Sequence, residues 1–336
     1  MNRKKVMIDC DTGIDDAVAL VLAWGLRDRL DILGVTTVAG NVGIENTTRN
    51  TLNVLKLIGA GEIPVAKGAE KPIEREPLKA SGVHGVSGLR GYTFEQDSRE
   101  ALVEETAWDF MYRVLKESEE KVTLIATGPV TNLALLFKKY PEIKKQVDQI
   151  LFMGTSWHDG NPTPLATFNV LVDPEAFRYL LNSGVDVCAC PLETTRKAYI
   201  TPEENEYIGT FGNRAGELVS KVLSSYGVEN IQSDEVIDKK GEEEITAARI
   251  AKSAQNKKRV LHDPAVVAYA AFPEFFTVEK YYCDVECKGE LTTGFTLIDK
   301  ADYYGKTMEE RNLYLAETVD RERFLEALYR AVRMCD

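Results

Sequence analysis

The chain has 336 residues, 44% of them hydrophobic and 28% charged, which suits a large buried core and excludes an intrinsically disordered chain. A formal net charge of -12, an isoelectric point near 5.0 and the lack of any dense Lys/Arg block argue against a nucleic-acid partner. No window approaches a membrane span, the apolar run before Asp9 is too short for a secretory leader, and six cysteines are too sparse for a disulfide framework. A cytoplasmic protein with reduced thiols is expected.

Residues 5–8, "KVMI", read as a strand, and 15–26, "DDAVALVLAWGL", as a helix with its apolar face inward. A second strand ("LDILGVTTVAG", 30–40), a second helix ("NTTRNTLNVLKLIGA", 46–60) and a short third strand ("IPVAKG", 63–68) follow. Residues 77–98 form a Gly/Ser-rich loop, long for a passive connection, and are expected to act as a flap. The alternation resumes with "VTLIATG" (122–128) and the helix "PVTNLALLFKKY" (129–140). It continues with "QILFMG" (149–154), "DPEAFRYLLNSG" (173–184) and "VDVCACPL" (185–192). Helical segments are expected around 203–226, then a solvated charged excursion at 234–245, with a second flap near 226–245. An apolar helix at 263–272, strands near 279–298 and a terminal helix at 321–334 complete the chain. Such alternation predicts a single α/β domain over 1–336, a mostly parallel central sheet flanked by helices in a Rossmann-like sandwich.

Four carboxylates, Asp9, Asp11, Asp15 and Asp16, lie within eight positions at the end of the first strand and the start of the first helix. Asp9 and Asp11 share a strand face, and Gly13 relaxes the turn. Asp15 and Asp16 fall where free helix N–H groups favour anions. Ligands of open α/β sheets bind beyond the carboxyl ends of strands, so the acids are steered into one volume. Their repulsion calls for a hard, oxygen-liking cation, Ca²⁺ or Mg²⁺. The plainer alternative makes Asp9 structural and Asp15 or Asp16 a helix cap. Asn41, Thr127, Asn161, Thr167, Asn169, His262 and Asp263 stand at comparable places farther on, after strands or before a helix.

On "DCDTGIDDA" (9–17), "TTVAGN" (36–41), "ATGPVTN" (126–132), "FNVLVDPEA" (168–176) and "HDPAVVAY" (262–269), in that order, the chain resembles the inosine-uridine preferring nucleoside hydrolase family over nearly its whole length. The resemblance implies hydrolysis of the N-glycosidic bond of purine or pyrimidine ribonucleosides to free base and ribose, with one Ca²⁺ and one water. It implies that Asp11 is a metal ligand and the base that takes the water's proton, with Asp16, Asp263 and the Thr127 carbonyl as further ligands. Asp15 and Asn41 would hold the ribose 2′-hydroxyl and Asn169 the 3′-hydroxyl, with Asn161 near the 5′ end. His262 would protonate the leaving base, at a near-neutral pKa, and His84 would be a flap histidine. A homodimer or homotetramer is expected.

The chain departs from that pattern at several places. Thr12 stands where Pro is usual, and Thr167 where a sugar-binding Glu is usual, which predicts a changed pocket at the 5′ end. Gly82 and Val86 replace a flap His and Glu, and Tyr226 lacks a second tyrosine. Two other readings compete. A haloacid-dehalogenase-like Mg²⁺ phosphohydrolase would use Asp9 as nucleophile and Asp11 as acid/base, but has Thr where Gly13 stands. A non-catalytic nucleoside- or sugar-binding protein would keep the scaffold without turnover.

Overall fold

A computed structural model describes residues 3–226 and 258–335. The first half alternates β1 (Lys4–Cys10), α1 (Ile14–Gly25), β2 (Leu30–Thr37), α2 (Ile44–Leu57), β3 (Val65–Lys67), α3 (Ser81–His84), β4 (Leu102–Val103), α4 (Ala107–Glu117), β5 (Val122–Ala126), α5 (Thr131–Lys139) and β6 (Val147–Met153). Then come α6 (Phe168–Val172), α7 (Pro174–Leu181), β7 (Val187–Cys190), α8 (Leu192–Thr195), β8 (Tyr199–Ile200), α9 (Pro202–Gly209) and α10 (Arg214–Ser225). The last part holds β9 (Arg259–Val260), α11 (His262–Ala271), β10 (Phe276–Tyr281), β11 (Cys283–Val285), β12 (Thr296–Ile298), β13 (Leu313–Val319) and α12 (Arg321–Arg333).

Nine strands form the main sheet, in the order β10-β13-β7-β6-β5-β1-β2-β3-β4. All neighbours in it are parallel except β10, which runs antiparallel to β13. The central strands β1 and β5 are buried along almost their full length and read as continuous apolar runs, as a sheet covered on both faces requires. One face carries α1, apolar all round after its acidic first turn and buried except for Trp24, and a core continuing through α10, α11 and α12. The other face packs α4, α5 and α7 around Phe110, Phe137, Phe152 and Phe177. The mostly parallel sandwich expected from the alternation is what forms.

Two details differ from the sequence reading. Residues 313–319, for which no strand was foreseen, form β13 in the main sheet between β7 and β10. The 77–98 loop is tied down for much of its length. Asn50 Nδ2 donates to Ser87 O (2.8 Å), Ser225 Oγ to Arg90 O (2.6 Å) and Ser98 N to Asn53 Oδ1 (2.7 Å). Only its first part, around α3, faces the cavity described below. The charged excursion at 234–245, and the second flap beyond Tyr226, lie outside the described residues. No disulfide joins any of the six cysteines. Among the described residues, no helix is long and apolar enough to cross a membrane.

Candidate active site

The chain reverses direction across the sheet between β1 and β5: β2, β3 and β4 extend one way from β1, and β5, β6 and β7 the other. Such a switch point opens a crevice beyond the carboxyl ends of the strands. Asp11 follows β1 and Thr127 follows β5, so both stand at its lip. A cavity of about 480 Å³ opens there, lined by Asp15, Asn41, His84, Thr127, Asn161, Thr167, Asn169, His262 and Asp263, with Tyr226.

Asp15, Asp16 and Asp263 form the tightest group, with one carboxylate oxygen of each within 4.8 Å of the others. All three are buried. Burial, reinforced by the charge of Asp16, pushes Asp15 up to about 7. Burial and the charges of Asp15 and Asp16 push Asp263 well above the carboxylate range. Burial also raises Asp16, opposed first by the bonds from Gly13 N and the Thr127 hydroxyl, and three donors reach its carboxylate. Those donors are Gly13 N (2.9 Å) and Asn41 Nδ2 (3.1 Å) to Oδ2, and the Thr127 hydroxyl (2.8 Å) to Oδ1.

Asp11 stands outside that group. Its Oδ2 accepts from Asn41 N at 2.7 Å, and burial with the Asp16 charge raises it strongly. A Cβ at Gly40 would lie 2.1 Å from that oxygen, so only glycine admits the carboxylate there. Asp9, like Asp11 and Asp16, is not among the residues that line the cavity. Its Oδ1 instead accepts from the Thr36 hydroxyl (2.6 Å) and Asn132 Nδ2 (2.8 Å), joining β1 to β2 and α5. Gly13 is also not needed for conformational freedom, since its φ is -104°. Space demands it: a Cβ would fall 2.5 Å from His84 Nδ1.

The remaining residues divide by what holds them. Asn169 Nδ2 donates to the Thr127 carbonyl (2.6 Å) and the Met153 carbonyl (2.9 Å), which leaves its Oδ1 and a second lone pair on Thr127 O. Asn161 Oδ1 accepts from Phe168 N at 2.9 Å, closing the 160–168 loop on itself. Thr167 is buried and its Oγ1 accepts from Thr155 N at 3.1 Å, where Thr155 has a left-handed φ of 75°. The threonine is therefore part of the loop's framework. His84 Nδ1 accepts from Ile14 N at 3.0 Å. Burial, then the Arg196 charge, lowers His262 to about 4, so it is neutral at pH 7 and the near-neutral value expected from the sequence is not met.

Sequence reasoning missed the supports of these groups. Thr195 Oγ1 lies 2.8 Å from His262 Nδ1 and fixes the ring from α8. Glu193, on the same turn, accepts through one oxygen from the Ser156 hydroxyl (2.6 Å), Trp157 N (3.1 Å) and His158 N (2.9 Å), and so holds the loop after β6. Nothing local marks them; the only available signal was their place just after a predicted strand.

The donor set fits a hard divalent cation. Buried carboxylates converge, burial and mutual repulsion hold them above their ordinary pKa values, and a backbone carbonyl stands beside them. Among the described residues, no thiol or imidazole joins the group, as a zinc site would want.

A sequence model of the inosine-uridine preferring nucleoside hydrolases matches residues 6–326. Proteins named pyrimidine-specific ribonucleoside hydrolase RihA, from Klebsiella pneumoniae (strain 342) and Escherichia coli O1:K1, are 38% and 37% identical over 323 residues, covering 96% of both chains in each comparison. Among solved structures, the plant nucleoside hydrolase PpNRh1 superposes with a TM-score of 0.83 at 29% identity, over 98% of this chain and 99% of that one. A purine-preferring ribonucleoside hydrolase from Gardnerella vaginalis gives 0.84 at 27% identity, over 98% of each chain.

Proposed function

The chain belongs to the inosine-uridine preferring nucleoside hydrolase family, and from that premise we propose that it hydrolyses ribonucleosides to free base and ribose with the help of a bound Ca²⁺. The observation that carries the reading is the convergence of Asp15, Asp16 and Asp263 within 4.8 Å, from chain positions almost 250 residues apart, at the switch point of the sheet. Asp16, Asp263, the Thr127 carbonyl and Asp11 or Asp15 would hold the ion. Bound there, Ca²⁺ would lower the pKa of a coordinated water and orient it.

The chain's own residues do the rest. Asp11 takes the water's proton at Oδ1, since Asn41 N already occupies Oδ2. Asp15 and Asn41 grip the ribose 2′-hydroxyl, Asn169 accepts the 3′-hydroxyl at its free Oδ1, and Asn161 and Thr167 border the 5′ end. The buried carboxylates stabilise positive charge that develops on the ribosyl ring as the base departs. His262, anchored through Nδ1 on Thr195, turns Nε2 to the leaving base. The relatives named pyrimidine-specific, at 37–38% identity, favour uridine and cytidine as substrates.

Product analysis tests this. Uridine should give uracil and ribose, activity should vanish in chelator, and Ca²⁺ should restore it. Elemental analysis finding zinc or iron, or no base released from uridine, cytidine or inosine, would overturn the reading. The last result would favour a non-catalytic binding protein.

A further inference from the structure

Helix α1 starts without a cap of its own. The N-cap position is Gly13, which has no side chain to accept from the first N–H groups, although Ser, Thr, Asp or Asn is the common choice there. The missing acceptor comes from the flap, 70 residues away: His84 Nδ1 accepts from Ile14 N at 3.0 Å. The two features require each other. A Cβ at Gly13 would sit 2.5 Å from His84 Nδ1 and 2.8 Å from Asn41 Nδ2, so an ordinary cap would evict the imidazole.

A backbone N–H can only donate, so Nδ1 must carry a lone pair. A neutral ring then holds its single proton on Nε2. His84 is buried, and among the described residues no hydrogen bond reaches Nε2. The side chain lines the cavity beside Tyr226, whose ring centroid is 6.3 Å away.

We propose that His84 is a positioning residue with two separable duties: Nδ1 caps the helix that carries Asp15 and Asp16, and Nε2–H stands as a fixed donor to a lone-pair oxygen or nitrogen of the bound nucleoside. Closing the flap and setting the start of the acidic helix are then one event. Only the donor duty and the cation readout below rest on the function proposed above; the cap does not.

Two substitutions separate the duties. His84→Asn can keep an acceptor oxygen at the Nδ1 position and loses the Nε2 donor. His84→Gln places its amide near the Nε2 position and loses the cap. Thermal unfolding in chelator, Ca²⁺ titration and kcat/KM on uridine are measured for both. His84→Gln should unfold at lower temperature in chelator and bind Ca²⁺ about fivefold more weakly, the size of one helix cap. His84→Asn should keep both within about twofold of the parent yet raise KM for uridine roughly tenfold, as one lost hydrogen bond does. Parental unfolding of His84→Gln in chelator, or equal losses in both variants, would overturn the cap. A parental KM in His84→Asn would overturn the donor. If the unsubstituted protein binds no divalent cation, the cation site falls, while unfolding in chelator still decides the cap.

Discussion

Replacing Asp263 with Asn should make the protein sturdier without metal and indifferent to it. Asp263 and Asp15 approach within hydrogen-bonding reach, where the Asp15 charge raises Asp263 while the bond from Asp263 favours the ionised form of Asp15. Two full charges 4.8 Å apart repel by about 3 kcal/mol at an effective dielectric near 20. Protonation of one member softens this, so the relief on substitution is about 1–3 kcal/mol, helped by an amide that can donate to Asp15. For 336 residues the unfolding entropy is about 0.7 kcal/mol per kelvin, so Tm in chelator should rise by roughly 1–4 °C. Calcium at ~100 times its Kd should add about 2.7 kcal/mol, or about 4 °C, to the unsubstituted protein and far less to the variant. Scanning calorimetry of both proteins, in chelator and in Ca²⁺, checks the four values. A variant that melts below the parent in chelator, or that gains as much from Ca²⁺, would refute the reasoning.

Asp11→Asn should lower kcat by ~10²–10⁴ while ribose binding stays largely intact, because the amide removes the proton acceptor but keeps an oxygen near the ion; steady-state kinetics with substrate and calcium titrations tests it. His262→Ala should slow uridine hydrolysis far more than hydrolysis of p-nitrophenyl riboside, whose leaving group needs no proton, and equal losses would make His262 structural. Thr167→Glu would place the usual sugar-binding carboxylate in this pocket, but it removes the acceptor of the Thr155 amide. It should cost ~1–3 kcal/mol, seen as a Tm lower by roughly 1–4 °C, without raising kcat/KM on uridine; a tenfold gain would show that the carboxylate fits. Burial, then the Arg90 charge, depresses His84 to about 3, below its ordinary 6.5. The unfolded chain therefore binds more protons between those values, and His84 takes stability away as pH falls from 6.5 toward 3. Relative to His84→Asn, the parent should lose up to about 1.4 kcal/mol per pH unit in that window, and parallel denaturation curves would contradict it.

Where physics is local, the sequence was informative. The alternation of apolar runs predicted the parallel sheet, and "DCDTGIDDA" predicted a carboxylate-rich turn after β1 because spacing alone puts acids at a strand end and a helix start. Strand β13 escaped because the acidic and polar stretch before it hides an alternation of which Leu313 and Leu315 are the buried half. Alternation also could not separate Asp9 from Asp11. Their difference lies in Thr36 and Asn132 on one side and Asn41 on the other, partners between 27 and 123 positions away. Likewise Thr195 meets His262 across 67 positions, and His84 meets Ile14 across 70. Such pairs leave no periodic trace in one chain. The reason for Gly13 was misread for the same cause, since crowding by a distant residue looks like a need for a loose backbone.

The tie below the acids has a consequence for how such a protein diversifies. Asn132 donates to Asp9 and to the Thr37 carbonyl and accepts from Ala69 N, so one amide from α5 binds the ends of β1 and β2 and the segment after β3. Asp9 returns the hold by taking the Thr36 hydroxyl. The ground on which the carboxylates stand is thereby cross-braced from beneath, and none of the bracing residues lines the cavity. The loops around His84, Asn161 and Tyr226, which do line the cavity, can change without disturbing the brace. A relative named for pyrimidines matches over 96% of this chain, and a structure named for purines superposes over 98% of it.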